Sequence, residues 1–70
     1  MEASSILLID AIHSRKSLGV LQILGYTSDT LLSEVDVTHA DIINIKGCGD
    51  STANRIITII ENAKKQYNLL

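Results

Sequence analysis

The residues with the clearest chemical potential run Ile42-Ile43-Asn44-Ile45-Lys46-Gly47-Cys48-Gly49-Asp50-Ser51-Thr52-Ala53-Asn54-Arg55-Ile56. The pattern is apolar-x-x-apolar-Lys-Gly-apolar-Gly-x-x-x-Ala-x-x-Ile, and it predicts two helices joined by a tight reversal. Ile42 and Ile45 would anchor the incoming helix and Ala53 and Ile56 the outgoing one, with Ala53 small enough for a close approach of the two backbones. Gly47 and Gly49 make the reversal possible, because glycine can adopt positive φ and has no Cβ to obstruct a ligand approaching the main chain. The amides around Gly47, Gly49 and Thr52 would then lack helical partners at the positive end of the last helix, which is the chemistry of an anion site. A DNA phosphate suits such a site, and main-chain contacts of this kind position a strand without reading its sequence. Lys46 would add a charge-assisted contact, and the Ser51 and Thr52 hydroxyls neutral ones.

Other chemistries find less support. His13, His39 and Cys48 lack any paired metal-ligand spacing such as Cys-x-x-Cys or His-x-x-x-His, so no metal is expected. Asp10 and His13 share one face of a predicted helix, but no nucleophile motif accompanies them and a domain this size offers little pocket. No catalytic residue and no cofactor is therefore assigned. Cys48, between the two glycines, reads as a small hydrophobe pointing into the groove between the helices.

The elements that position these residues can be read from caps and periodicity. A first helix is expected from about Ser5 to His13, capped by Ser4 or Ser5, with Ile6, Ile9 and Ile12 at helical spacing. This apolar helix completes the core or forms a dimer seam. A second begins near Ser17, turns Leu18, Leu21 and Leu24 inward and ends at Gly25, which suits the left-handed position after a helix end. A third spans Ser28 to Val35, with Leu31, Leu32 and Val35 facing the core. Thr38, followed three residues later by Asp41, resembles a capping box for a fourth helix over His39 to Ile45. The last and longest runs from Ser51 to Tyr67 on a stripe of Ala53, Ile56, Ile57, Ile60, Ala63 and Tyr67. The expected fold is thus all-α, a compact bundle of four to five short helices forming one domain over residues 1–70, with its hairpin motif at 42–56.

Composition agrees with a small aliphatic core. Eleven Ile and nine Leu supply it, while Trp, Phe and Pro are absent. Cys48 is the only cysteine, so no disulfide can form within the chain, and a cytoplasmic setting is expected. The apolar run Ile6 to Ile9 is stopped by Asp10, and no signal peptide or membrane span is expected. Net charge is −2, against the basic footprint of strong phosphate binders. Its distribution is uneven: residues 1–40 hold two cations against five carboxylates, whereas residues 41–70 hold four against three.

The 42–56 pattern resembles the helix-hairpin-helix superfamily. Upstream, Leu21-Gln22-Ile23-Leu24-Gly25-Tyr26-Thr27, then Leu31-Leu32, then Asp41 to Gly47 extend the likeness. Together these stretches resemble the N-terminal helical domain of eukaryotic and archaeal RecA-type recombinases and, equally, the C-terminal domain of the bacterial RNA polymerase alpha subunit. The resemblance covers roughly Ser17 to Lys65. It implies a SAM-like, helix-hairpin-helix domain that is no enzyme and that binds duplex DNA through Gly47, Gly49, Ser51 and Thr52. It also places Lys16 or Arg15 where the polymerase domain presents a DNA-contacting arginine. Such a protein would work in transcription, recombination or repair, near the nucleoid or, in a eukaryote, in the nucleus. Asp50, Ser51 and Thr52 depart from the pattern, since strong DNA binders often carry Lys or Arg there. Acidic hairpins occur in related acidic-repeat domains of a bacterial transcription elongation factor, which bind protein. The resemblance therefore also admits an interaction module or small transcription regulator, acting as an adaptor for the transcription or recombination machinery or as a homodimer.

Overall fold

The computed structural model describes residues 6–69. They form four α-helices, α1 (Leu8–Ala11), α2 (Arg15–Ile23), α3 (His39–Ile43) and α4 (Asp50–Gln66), and one 3-10 turn over Leu32–Glu34. No strand occurs among the described residues, and the C-terminal helix is by far the longest.

α4 forms where its amphipathic spacing predicts. Ala53, Ile56, Ile60 and Ala63 are buried along one face, and Ile57 and Tyr67 pack partly buried beside them. Lys64 and Lys65 occupy its last turn, where cations complement the helix dipole. Lys64 has a further task, donating from Nζ to the Val35 carbonyl and so tying the helix to the chain before α3.

α3 is held by its cap. Thr38 Oγ1 accepts from the Asp41 amide at 3.2 Å, and the Asp41 carboxylate accepts from the Thr38 amide at 3.0 Å. This reciprocal pair satisfies two donors at the helix start. Ile42, fully buried, carries α3 onto α4, and this pair makes the most extensive helix–helix contact in the chain. α3 ends at Ile43, two residues before the expected Ile45, and the chain continues through a turn to α4.

α2 starts two residues earlier than expected. Ser14 is its cap, its Oγ accepting from both the amide and the hydroxyl of Ser17. That second bond lets the hydroxyl of Ser17 be buried without cost of an unmet donor. Val20 and Leu21 form the buried face, and Leu24 packs partly buried beside them. Gly25 follows at φ +102°, as the stop signal requires.

The N-terminal third departs most from expectation. α1 is one turn, not a helix from Ser5 to His13, and Ser4 and Ser5 lie outside the described residues. Leu7 is extended and pairs with Leu31 in an isolated antiparallel bridge. The Leu32 amide donates to the Ile6 carbonyl at 2.8 Å and the Leu8 amide to the Thr30 carbonyl at 2.7 Å. These bonds replace the third helix expected over Ser28 to Val35. Only the 3-10 turn forms there, yet Leu32 and Val35 are buried as expected. Ile6, Leu8 and Ile12 join the same core, so this segment completes it, whereas Ile9 stays 47 % exposed. Tyr26 closes the layer: its phenol donates to the Asp36 carbonyl and accepts from the Asp36 amide, each at 3.2 Å.

Candidate phosphate-binding site

The start of α4 leaves its first amides unused. Gly49 is the cap residue, has no side chain to accept them, and gives its carbonyl to the Ala53 amide at 3.0 Å. The amides of Gly47, Gly49, Asp50, Ser51 and Thr52 have no acceptor among the described residues. Gly47 and Gly49 are also exposed. Only Gly47 uses the left-handed region, at φ +93°. Gly49 is extended at φ −104°, and a Cβ there would meet nothing within 4 Å. Gly47 is therefore the glycine that the reversal requires, and Gly49 contributes an open approach to the helix start.

The two longer helices bring their N-terminal ends together. A cleft of about 190 Å³ lies between them, lined from the α2 side by Ser14, Lys16 and Ser17. From the α4 side it is lined by Ser51, Thr52 and Arg55, with Ile56 at its apolar wall. Two cations and four hydroxyl side chains thus surround one concavity, and no carboxylate lines it. The dipoles of α2 and α4 add partial positive charge from both sides. Every charged side chain that lines the cleft favours an anion, and the hydroxyls of Ser14, Ser51 and Thr52 can donate to phosphate oxygens.

The residues expected to contact DNA separate into three groups. Lys16, Ser51 and Thr52 meet in the cleft. Lys46, Gly47 and Gly49 lie on the exposed turn that leads into α4 and do not line it. Arg15 belongs elsewhere, in a groove on another flank of α2. The fold adds Ser14, Ser17, Arg55 and Ile56 to the lining, beyond the contacts that the sequence suggests. Arg55 stands four residues after Ser51 and three after Thr52, a spacing that places all three on one helix face.

Asp50, the acid at the helix start, points away from the cleft. Its Oδ1 lies 3.4 Å from His39 Nε2 at the start of α3, and its side chain is 82 % exposed. Cys48 is a free, half-buried thiol packed against the core beside Ile45. Among the described residues no group of His, Cys, Asp or Glu is placed to hold a metal ion, and no helix is long and apolar enough to cross a membrane. Protein-family models, curated protein sequences and solved structures were all compared with the chain, and none matches it.

Proposed function

We propose that this chain is a non-enzymatic DNA-binding module of helix-hairpin-helix type, which grips the phosphate backbone with little sequence preference. One observation carries the reading: Lys16, Ser51, Thr52 and Arg55 line a single carboxylate-free cleft at the convergence of two helix N-termini. The free amides of Gly47 and of Gly49, Asp50, Ser51 and Thr52 extend the same chemistry along the turn, where a neighbouring phosphate can be met by main chain and by Lys46. Two separate points of contact suit a polyanion better than a single small anion. A contact set made of amides, hydroxyls and cations supplies affinity and register.

Titrating a fluorescent duplex at several salt concentrations tests this. Affinity must fall as salt rises, with a logarithmic slope of about −0.9 for each phosphate neutralised. Lys16→Ala and Arg55→Ala should each flatten that slope by roughly one contact. A salt-independent titration, or slopes unchanged in both variants, defeats the proposal. The second reading, docking on a protein of the transcription or recombination machinery, is favoured by the exposed Asp50 at the hairpin and by Ile43, which is 40 % exposed on α3. Retention of a protein partner after nuclease treatment, with no duplex bound, would select it.

A further inference from the structure

Hydrogen-bonding capacity narrows what the cleft between α2 and α4 can hold. Ser14 Oγ accepts from the Ser17 amide at 3.3 Å and from the Ser17 hydroxyl at 3.0 Å. A hydroxyl oxygen has two lone pairs, so both are used and only the Ser14 proton is left to meet a ligand. Lys16 and Arg55 can only donate. They line the same cleft from different helices, and the ion-pair contact seen among the described residues, His39 with Asp50, involves neither. Three obligate donors, two of them cations, therefore face one recess with no carboxylate in its lining. A ligand that satisfies them presents several acceptor oxygens and more than one negative charge.

The phosphates of a DNA strand are of two kinds, which differ in these properties. An internal phosphodiester carries one negative charge and two unesterified oxygens, and the strand leaves it on two sides. A terminal phosphomonoester carries about −1.5 to −2 near neutral pH and three acceptor oxygens, and the strand leaves it on one side only. Its charge matches a cation on each wall of the cleft. Tethering on one side also suits the shape, because α2 and α4 flank the recess and Ile56 walls it from within. A volume of about 190 Å³ is the space of several waters at about 30 Å³ each, room for a phosphoryl group. The exposed turn at Lys46, Gly47 and Gly49 lies outside the cleft and is left for the diesters that follow.

We propose that the cleft receives the phosphomonoester at the end of a DNA strand and holds it, between Lys16 and Arg55, in preference to the diesters along the backbone. The inference rests on the reading that the chain binds DNA phosphates and adds which phosphate the cleft selects.

Short hairpin duplexes, each with a single open end and a fluorophore in the loop, test it when that end carries a 5′-phosphate, a 3′-phosphate or hydroxyls alone. At least one phosphorylated duplex should bind about tenfold more tightly than the hydroxyl-ended one, the gain expected of one further charge-assisted hydrogen bond. Whichever position wins identifies the end that is received. Lys16→Ala and Arg55→Ala should each shrink the ratio between phosphorylated and hydroxyl ends, and the two together should bring it to unity. Both residues are exposed, so the variants are expected to fold. Equal affinity for all three ends, with salt dependence intact, overturns the proposal and leaves backbone binding standing. A preference that survives in the double variant overturns it too, because the end is then read elsewhere. Absence of binding to every duplex defeats both readings.

Discussion

Arg15 and Lys16 are neighbours in the chain and opposites in their surroundings. Lys16 stands in a polar cleft with Ser14, Ser51 and Arg55, whereas Arg15 stands in a groove walled by Leu8, Ile9 and Leu18. A helix turns about 100° per residue, so one step along α2 exchanges one neighbourhood for the other. As a pair, these residues look like one basic patch. In the fold they serve two surfaces of different chemistry, and what divides them is the phase that Val20 and Leu21 impose by burying the remaining face of α2.

The contrast can be broken outright or refined by degrees. Leu21 is completely buried beneath both surfaces, and Leu21→Ala should cost about 2–5 kcal/mol, a large share of the stability of so small a domain. Chemical denaturation would register the loss, and both surfaces should fail together. Next in size, Lys16→Ala should lower duplex affinity by about 1–2 kcal/mol, a factor of roughly 5–30, if its ammonium pairs with phosphate. Arg15→Ala should change affinity far less in the same titration. Equal losses would mean that the two flanks of α2 are not distinct.

Gly47→Ala forces an L-residue to φ +93° in open surroundings, so its cost is strain alone, about 1–2 kcal/mol by the sterics of the left-handed region. Gly49→Ala, at an extended residue, should cost clearly less, and thermal melts of the two variants would rank them. Smallest and opposite in sign, Gly19→Ala should stabilise the fold by about 0.8–1 kcal/mol, since it replaces an interior helical glycine at no steric penalty. A melting temperature that falls instead would show that Gly19 is required within the chain after all.

The legibility of the sequence differs between the halves of the molecule for physical reasons. From Thr38 onward, local signals act alone: the Thr38–Asp41 capping box, the stripe of Ala53, Ile56, Ile60 and Ala63, and the glycine reversal at Gly47 each produce the element they predict. On either side of α2, over residues 6–13 and 27–35, nonlocal bonds override local preference. Thr27 and Ser28 resemble helix caps, but the Thr27 amide donates to Thr30 Oγ1 at 3.0 Å and the Thr30 amide to the Thr27 carbonyl at 3.1 Å, closing a turn. Leu31 is then extended and Leu32 is recruited by the Ile6 carbonyl. No periodicity within residues 28–35 encodes that partner, because it lies more than twenty positions upstream. Ile9 illustrates the same limit, since helical spacing with Ile6 and Ile12 suggests burial, whereas the extended chain at Leu7 breaks the spacing.

The candidate site is intermediate in this respect. Ser51 and Thr52 are legible in the sequence because they open the last helix. Their meeting with Lys16 depends on the packing of α2 against the start of α4, which no single motif contains. Arg55 was within reach, lying one turn beyond Ser51 on the same face. Ser14 was hidden by Ser17, an equally good cap in composition, and the two hydroxyls turn out to bond each other.

The starts of α2 and α4 are proposed to form one phosphate site together. Amide chemical-shift changes on adding duplex DNA to the labelled chain test it most directly. Lys16, Ser17, Ser51, Thr52 and Arg55 are expected to shift together along one binding curve, with Gly47 and Gly49 following and the Arg15–Gly19 groove face lagging. Shifts confined to the groove between α1 and α2, or the start of α4 responding while Lys16 and Ser17 stay still, would contradict it.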